Sequence, residues 1–227
     1  MNLQRLVGLL RKSNEGAPFD DIIGHEHIKR LLRMALESGS RTHILLVGPP
    51  ASAKTMFLTS LLQSLKNEYL VDGGNSTRAG MIDYLFENRP RYLLIDEIDK
   101  SAPKHQTFLL NLMETGIISE TKYRKTRESR MDVSVFATCN DSRTLSAALQ
   151  SRFFVVQLEP YSYEQFYGIT LRLLHDRTKV SPTIADAVWN TSKNIRDCVR
   201  IGRLARTVED VKFLIDKFIT SSEGTGD

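Results

Sequence analysis

From about residue 20 to residue 158 the chain alternates unbroken apolar runs with stretches in which an apolar residue recurs every third or fourth position. The runs are THILLVG (42–48), EYLVD (68–72), RYLLIDE (91–97), VSVFATCN (133–140) and FFVVQL (153–158). Runs without polar alternation predict strands buried on both faces of a parallel sheet. Helical spacing fills the intervals at 25–39, 54–67, 78–88 and 104–116. Strand and helix in repetition predict an α/β fold, a doubly wound parallel core of five strands. After residue 158 the strand signals stop. Segments at 163–177, 181–192 and 194–219 read as helices, with Pro182 and Asn194 where helix starts are expected.

The pattern divides the chain into an N-terminal helix (1–17), an α/β core (18–158), a small C-terminal helical domain (159–220) and a frayed tail (221–227). The opening segment has an apolar helical face, a basic end and no small-residue cleavage site, so it reads as a surface or docking helix rather than a signal peptide.

Composition narrows the class only a little. The 227 residues are 41% hydrophobic and 26% charged, enough to bury a core. No apolar run approaches the roughly 18 residues of a membrane span. Cys139 and Cys198 lie far apart without metal-ligand spacing, which reads as reduced structural thiols in a cytoplasmic protein. The five histidines also lack metal spacing, and the net charge of +4 is compatible with nucleic acid without requiring it.

The chemistry concentrates at two strand ends. Gly48, Pro49, Pro50, Ala51, Ser52, Ala53, Lys54 and Thr55 join the first strand to a helix that continues through Met56. A strand, a tight loop and a helix start gather backbone amides and the positive end of a helix dipole around one point, which suits phosphate. In that setting Lys54 would reach the β- and γ-phosphates of ATP and the Thr55 hydroxyl would ligate Mg²⁺. Two positions often occupied by glycine are Ala51 and Ala53. Ala53 is expected at a negative φ beside the helix start. Ala51 is the expected site of strain, about 1–2 kcal/mol if its φ is positive, and it weakens the expectation for nucleotide affinity. At the end of RYLLIDE, Asp96 and Glu97 place adjacent carboxylates at the ligand-binding edge of an open sheet. One can hold Mg²⁺ with Thr55, and the other can act as general base toward water.

These segments together resemble the AAA+ ATPases. GPPASAKT is similar to their Walker A motif, LLIDEID to Walker B, and VFATCN to the sensor 1 strand. The resemblance makes Asn140 the residue that positions the attacking water. LSAALQSRF resembles the segment bearing the arginine finger, here Arg152 with Arg143 as rival. NIRDCVRIGRL resembles the sensor 2 helix of a lid, with Arg196 the best match and Arg200 and Arg203 following at helical spacing. PFDDIIGHEHIKRLL resembles the leading segment in which Ile22 and Ile23 line an adenine pocket. The Ala-Lys step and the stretch before sensor 1 resemble the MCM helicases and MoxR ATPases. The leading segment and lid resemble RuvB, a branch-migration motor, although the chain is expected to end after the lid, without room for that group's winged-helix domain. The resemblance implies a homo-oligomeric ring, a hexamer, in which Arg152 serves a neighbour's nucleotide.

The segment TKYRKTRESRMD predicts a hairpin with a basic tip, where Lys122, Arg124, Lys125 and Arg127 would track a phosphate backbone and Tyr123 would stack on a base. A solvated turn or an intersubunit contact accounts for the same residues. The loop DGGNSTRAG (72–80) lacks an aromatic grip for polypeptide and offers Asn75, Ser76, Thr77 and Arg78. The resulting expectation is an ATP- and Mg²⁺-dependent ring motor acting on DNA. The alternatives are a MoxR-like chaperone remodelling a protein partner and a weakly hydrolysing, nucleotide-dependent assembly protein.

Overall fold

The structure, a computed structural model, describes residues 18–20, 22–50, 52–122, 125–175, 186–187, 189–190, 197, 201 and 204–219. The expected N-terminal helix (1–17), Ala51, Tyr123, Arg124, Arg196, Cys198, Arg200, Arg203 and the tail lie outside the described residues, as do the side chains of Lys122 and Lys125. The chain divides into two compact units, Met1–Glu159 and Pro160–Asp227.

In the first unit the elements follow in the order α1 (Glu26–Glu37), β1 (His43–Val47), α2 (Lys54–Ser64), β2 (Glu68–Asp72), α3 (Arg78–Asn88), β3 (Tyr92–Asp96) and α4 (Pro103–Thr115). Then come β4 (Ile117–Lys122), β5 (Lys125–Arg130), β6 (Ser134–Cys139), α5 (Ala147–Gln150) and β7 (Phe154–Gln157). Five strands form one sheet in the order β2-β3-β6-β1-β7, and every pair is parallel. The unbroken apolar runs follow from this order. Ile44, Leu45, Leu93, Leu94, Ile95, Val135 and Ala137 are all fully buried in the three inner strands, each such large side chain contributing about 1.5–3 kcal/mol. One face packs on α3 and α4 through Met81, Ile82, Leu85, Leu109 and Leu112. The other carries α2, which packs against β3 and β6.

The outer strands depart from burial on both faces. Among the described residues β7 pairs only with β1, and it leaves Phe154 61% exposed despite its apolar sequence. Apolar content identified that strand, whereas its burial was set by the sheet order.

Because the sheet is wholly parallel, the loop after β1 and the acids ending β3 emerge on one edge. The backbone crowds closely there. A Cβ at Gly48 would stand 2.7 Å from the Leu158 carbonyl oxygen and 2.8 Å from Ser52 Oγ, so this position excludes a side chain. Antiparallel β4 and β5 form the expected hairpin. Its root is fixed by Gly116, which ends α4 at φ 73°, and by the Met131 amide donating to the Gly116 carbonyl at 2.7 Å.

The second unit contains α6 (Tyr163–His175) and α7 (Val208–Leu214), the latter continuing as a π-helical turn over Ile215–Ile219. Phe166 is fully buried with Ile201, Val211 and Ile215, and Trp189 tilts against it at 5.1 Å between ring centroids. Thr207 and Asp210 cap α7 reciprocally, satisfying amides at both ends of the first turn. Among the described residues no helix is long and apolar enough to cross a membrane.

Candidate active site

The loop between β1 and α2 closes on its own lysine. Lys54 is 7% exposed, and its ammonium donates to the carbonyls of Gly48 at 2.6 Å and Pro49 at 2.7 Å. Ser52 Oγ donates to the Pro49 carbonyl at 2.8 Å, which holds the loop in the same tight curve. A buried ammonium costs several kcal/mol unless it is compensated, and here loop carbonyls supply the compensation.

The structure corrects the expectation for Ala53. Its φ is 66° and ψ 4°, in the left-handed region, where the chain must swing from the loop into α2. His25 before α1 and Glu97 before the short helix Ile98–Lys100 make the same left-handed approach. A β-carbon there costs about 1–2 kcal/mol. Ala53→Gly is therefore expected to stabilise the protein by about 0.5–1 kcal/mol once the added freedom of the unfolded chain, about 0.4–1 kcal/mol, is subtracted. Urea unfolding measures this, and an equal or lower stability contradicts the left-handed assignment.

The two strand ends meet through hydroxyls. The Thr55 hydroxyl donates to the Asp96 carboxylate, at 3.1 Å from Oδ2 and 3.3 Å from Oδ1. Thr138, fully buried on β6, donates its own hydroxyl to Asp96 Oδ1 and accepts the Glu97 amide at 3.0 Å. Sequence reading missed Thr138; a hydroxyl inside the otherwise apolar run VSVFATC was the available signal. Glu97 holds φ 55°, and its Oε2 accepts from Lys100 Nζ at 2.7 Å. That pair keeps the Lys100 ammonium above its ordinary value, chiefly through the hydrogen bond to Glu97.

The remaining predicted residues are placed as follows. The Asn140 backbone N–H donates to Asp99 Oδ2 at 3.1 Å, one residue beyond β6 and on the same sheet edge. Ile22 is buried and Ile23 half-buried before α1, and the adjoining Phe19 amide donates to Ser60 Oγ on α2 at 2.9 Å. Met56 is exposed on α2. Arg152 pairs with Glu114 at 2.7 Å, both side chains being partly exposed. Its rival Arg143 is bound to the neighbouring Asp141, whose carboxyl is held down to about 2 by those hydrogen bonds. Burial pushes the Cys139 thiol up to about 12, so it remains protonated and structural.

Arg127 is not at the tip of the hairpin. It lies within the ladder opposite Glu120, binds Glu120 and Asp83 of α3, and covers the Phe86 ring at 4.3 Å. These contacts fasten the hairpin to α3.

The donor set suits a nucleotide with a divalent cation. Thr55 and Asp96 offer hard oxygen ligands, and among the described residues no cluster of three His, Cys, Asp or Glu forms a cage of its own. Magnesium bound largely by phosphates and water needs only such a partial set.

The sequence matches the ATPase family associated with various cellular activities (AAA) over residues 44–161. It is 24% identical over 221 residues to the Holliday junction branch migration complex subunit RuvB of Thermotoga maritima, covering 85% of this chain and 65% of that protein. The chain therefore spans just under two thirds of that relative's length. A probable DNA helicase MCM8 of Arabidopsis thaliana is 29% identical over 178 residues, covering 60% of this chain and 22% of the helicase. Among solved structures, the Thermotoga maritima RuvB Holliday junction branch migration motor superposes with a TM-score of 0.67 at 20% identity, over 86% of this chain and 69% of that one. That likeness concerns the fold. The family match takes in the phosphate loop, the paired acids and the strands that carry them, and the chain belongs to the AAA ATPases.

Proposed function

We propose that the protein is an Mg²⁺-dependent ATP hydrolase that works in the cytoplasm as a homo-oligomeric, hexameric ring motor on DNA. The observation that carries the reading is the 3.1 Å contact between Thr55 of the phosphate loop and Asp96 of β3, 41 residues apart in sequence. Bound magnesium would supply positive charge beside the β- and γ-phosphates. Lys54 exchanges its loop carbonyls for phosphate oxygens, and the backbone N–H groups of Ser52, Ala53, Lys54 and Thr55 face the same group. Thr55 and Asp96 would hold the cation. Glu97 takes a proton from the attacking water as its oxygen bonds to the γ-phosphorus and ADP leaves. Asn140 orients that water, and Arg152 of an adjacent subunit stabilises the charge on the transferred phosphoryl. Ile22 and Ile23 pack on the adenine.

DNA as the substrate is supported by the relatives, a branch-migration subunit and a probable DNA helicase, and by the net charge of +4. A second reading, a weakly hydrolysing assembly protein, is favoured by the strained Ala53 in the loop. Phosphate release from Mg²⁺-ATP, with and without DNA and with sedimentation of the same samples, tests both. Turnover that rises with DNA in a ring-sized species supports the motor. Assembly driven by ATP with negligible turnover supports the second reading. Stimulation by a protein and never by DNA points instead to a MoxR-like chaperone. Calorimetry blank for every nucleoside triphosphate overturns all three.

A further inference from the structure

A groove of about 230 Å³ opens between α3, α4 and the root of the hairpin. Arg78 contributes from the first residue of α3, Lys104, Thr107 and Asn111 from one face of α4, and Ile117 and Ser119 from β4. Arg78 and Lys104 are both exposed, and among the described residues neither has an ion pair or a hydrogen-bonding partner for its side chain. Their positions are electrostatically unfavourable within the isolated chain. Each stands in the first turn of its helix, where the dipole favours acids, and neither first turn contains one. The His105 imidazole, next to Lys104, is held below its ordinary value by burial and then by the charge of Arg78. On the same face of the ladder Glu128 stands opposite Ser119 and Arg130 opposite Ile117, so the hairpin adds no net charge there. Two uncompensated cations at two helix starts make a locus of positive potential that an anion would neutralise.

We propose that this groove binds the phosphate backbone of the DNA strand on which the motor acts. The inference rests on the DNA reading above and moves the contact away from Arg127, whose charge is already committed to Glu120 and Asp83. Arg78 and Lys104 take successive phosphates. Asn111 and Ser119 offer amide and hydroxyl donors to phosphate and sugar oxygens, contacts that position a strand without reading its sequence.

The test is a dye-labelled oligodeoxythymidine titrated into the full chain with Mg²⁺-ATP across a salt series, comparing the parent with an Arg78→Gln, Lys104→Gln double variant. Affinity is expected to fall at least about tenfold, with a salt slope shallower by about 1.4 for two lost phosphate contacts on a single strand. Basal ATP turnover is expected to stay at the parental level while stimulation by DNA is lost. The variant should unfold in urea no earlier than the parent, because two cations leave helix N-termini. A parent that binds and a variant that binds equally, with the same slope, overturn the groove and leave the DNA reading standing. A parent that fails to bind the oligonucleotide at low salt overturns both. Displacement of DNA by polyglutamate of matched charge at equal concentration overturns nucleic acid as the occupant and points to an acidic protein.

Discussion

Glu97→Gln is expected to bind ATP like the parent and to release phosphate about 100-fold more slowly or worse. The substitution keeps the size and shape of the side chain and leaves the backbone amide on Thr138, so the strand end should remain in place. What it removes is the proton-accepting oxygen. A non-glycine residue at φ 55° carries strain of the kind that collects at functional sites. The ion pair with Lys100 holds the carboxylate partly out of use, so Lys100→Met should not reproduce the defect. Single-turnover phosphate release with calorimetry of nucleotide binding separates affinity from chemistry. Parental turnover by the glutamine variant would remove Glu97 as the base.

The second large effect is expected at Arg152. Arg152→Ala should retain ATP binding and lose about 1,000-fold in hydrolysis, the scale of a cation supplied to the phosphoryl in flight. In the isolated chain the guanidinium rests on Glu114, a partly exposed pair worth less than about 1 kcal/mol. Such a contact is readily exchanged for a neighbour's phosphate. Mixing gives the decisive readout. Arg152→Ala subunits keep an intact base, and Glu97→Gln subunits keep an intact finger, so rings containing both should hydrolyse ATP faster than either variant alone. No recovery in mixed rings, or an equal loss from Glu114→Ala, would assign Arg152 a structural role.

How much was legible in advance follows from how local each cause is. The five core strands were expected at 42–48, 68–72, 91–97, 133–140 and 153–158, and they occupy 43–47, 68–72, 92–96, 134–139 and 154–157. The three inner strands are buried on both faces and have to be largely apolar, so their signal lies in their own residues, and the outer two carried enough apolar content to be found. The helix at 78–88 was read from its apolar spacing at its observed bounds, and its start is fixed locally, Thr77 accepting the Gly80 amide. The fate of Arg127 was not legible, since its partner Asp83 is 44 positions away and only the fold brings them together. The conformation of Ala53 was misread for a different reason. Its neighbours announce a helix start, but the sharpness of the approach is set by how tightly the loop curls around Lys54. The candidate site was half legible. Lys54, Thr55, Asp96 and Glu97 stood in the motifs, whereas Thr138, which ties two of them together, carried no motif of its own.

The Thr138 hydroxyl has a mechanical consequence. A single oxygen anchors both the carboxylate that would grip the cation and the peptide that carries the base. Neither acid can then drift alone. A sliding of the central strand would carry both at once, so the spacing between gripping and proton transfer is inherited from the interior of the sheet.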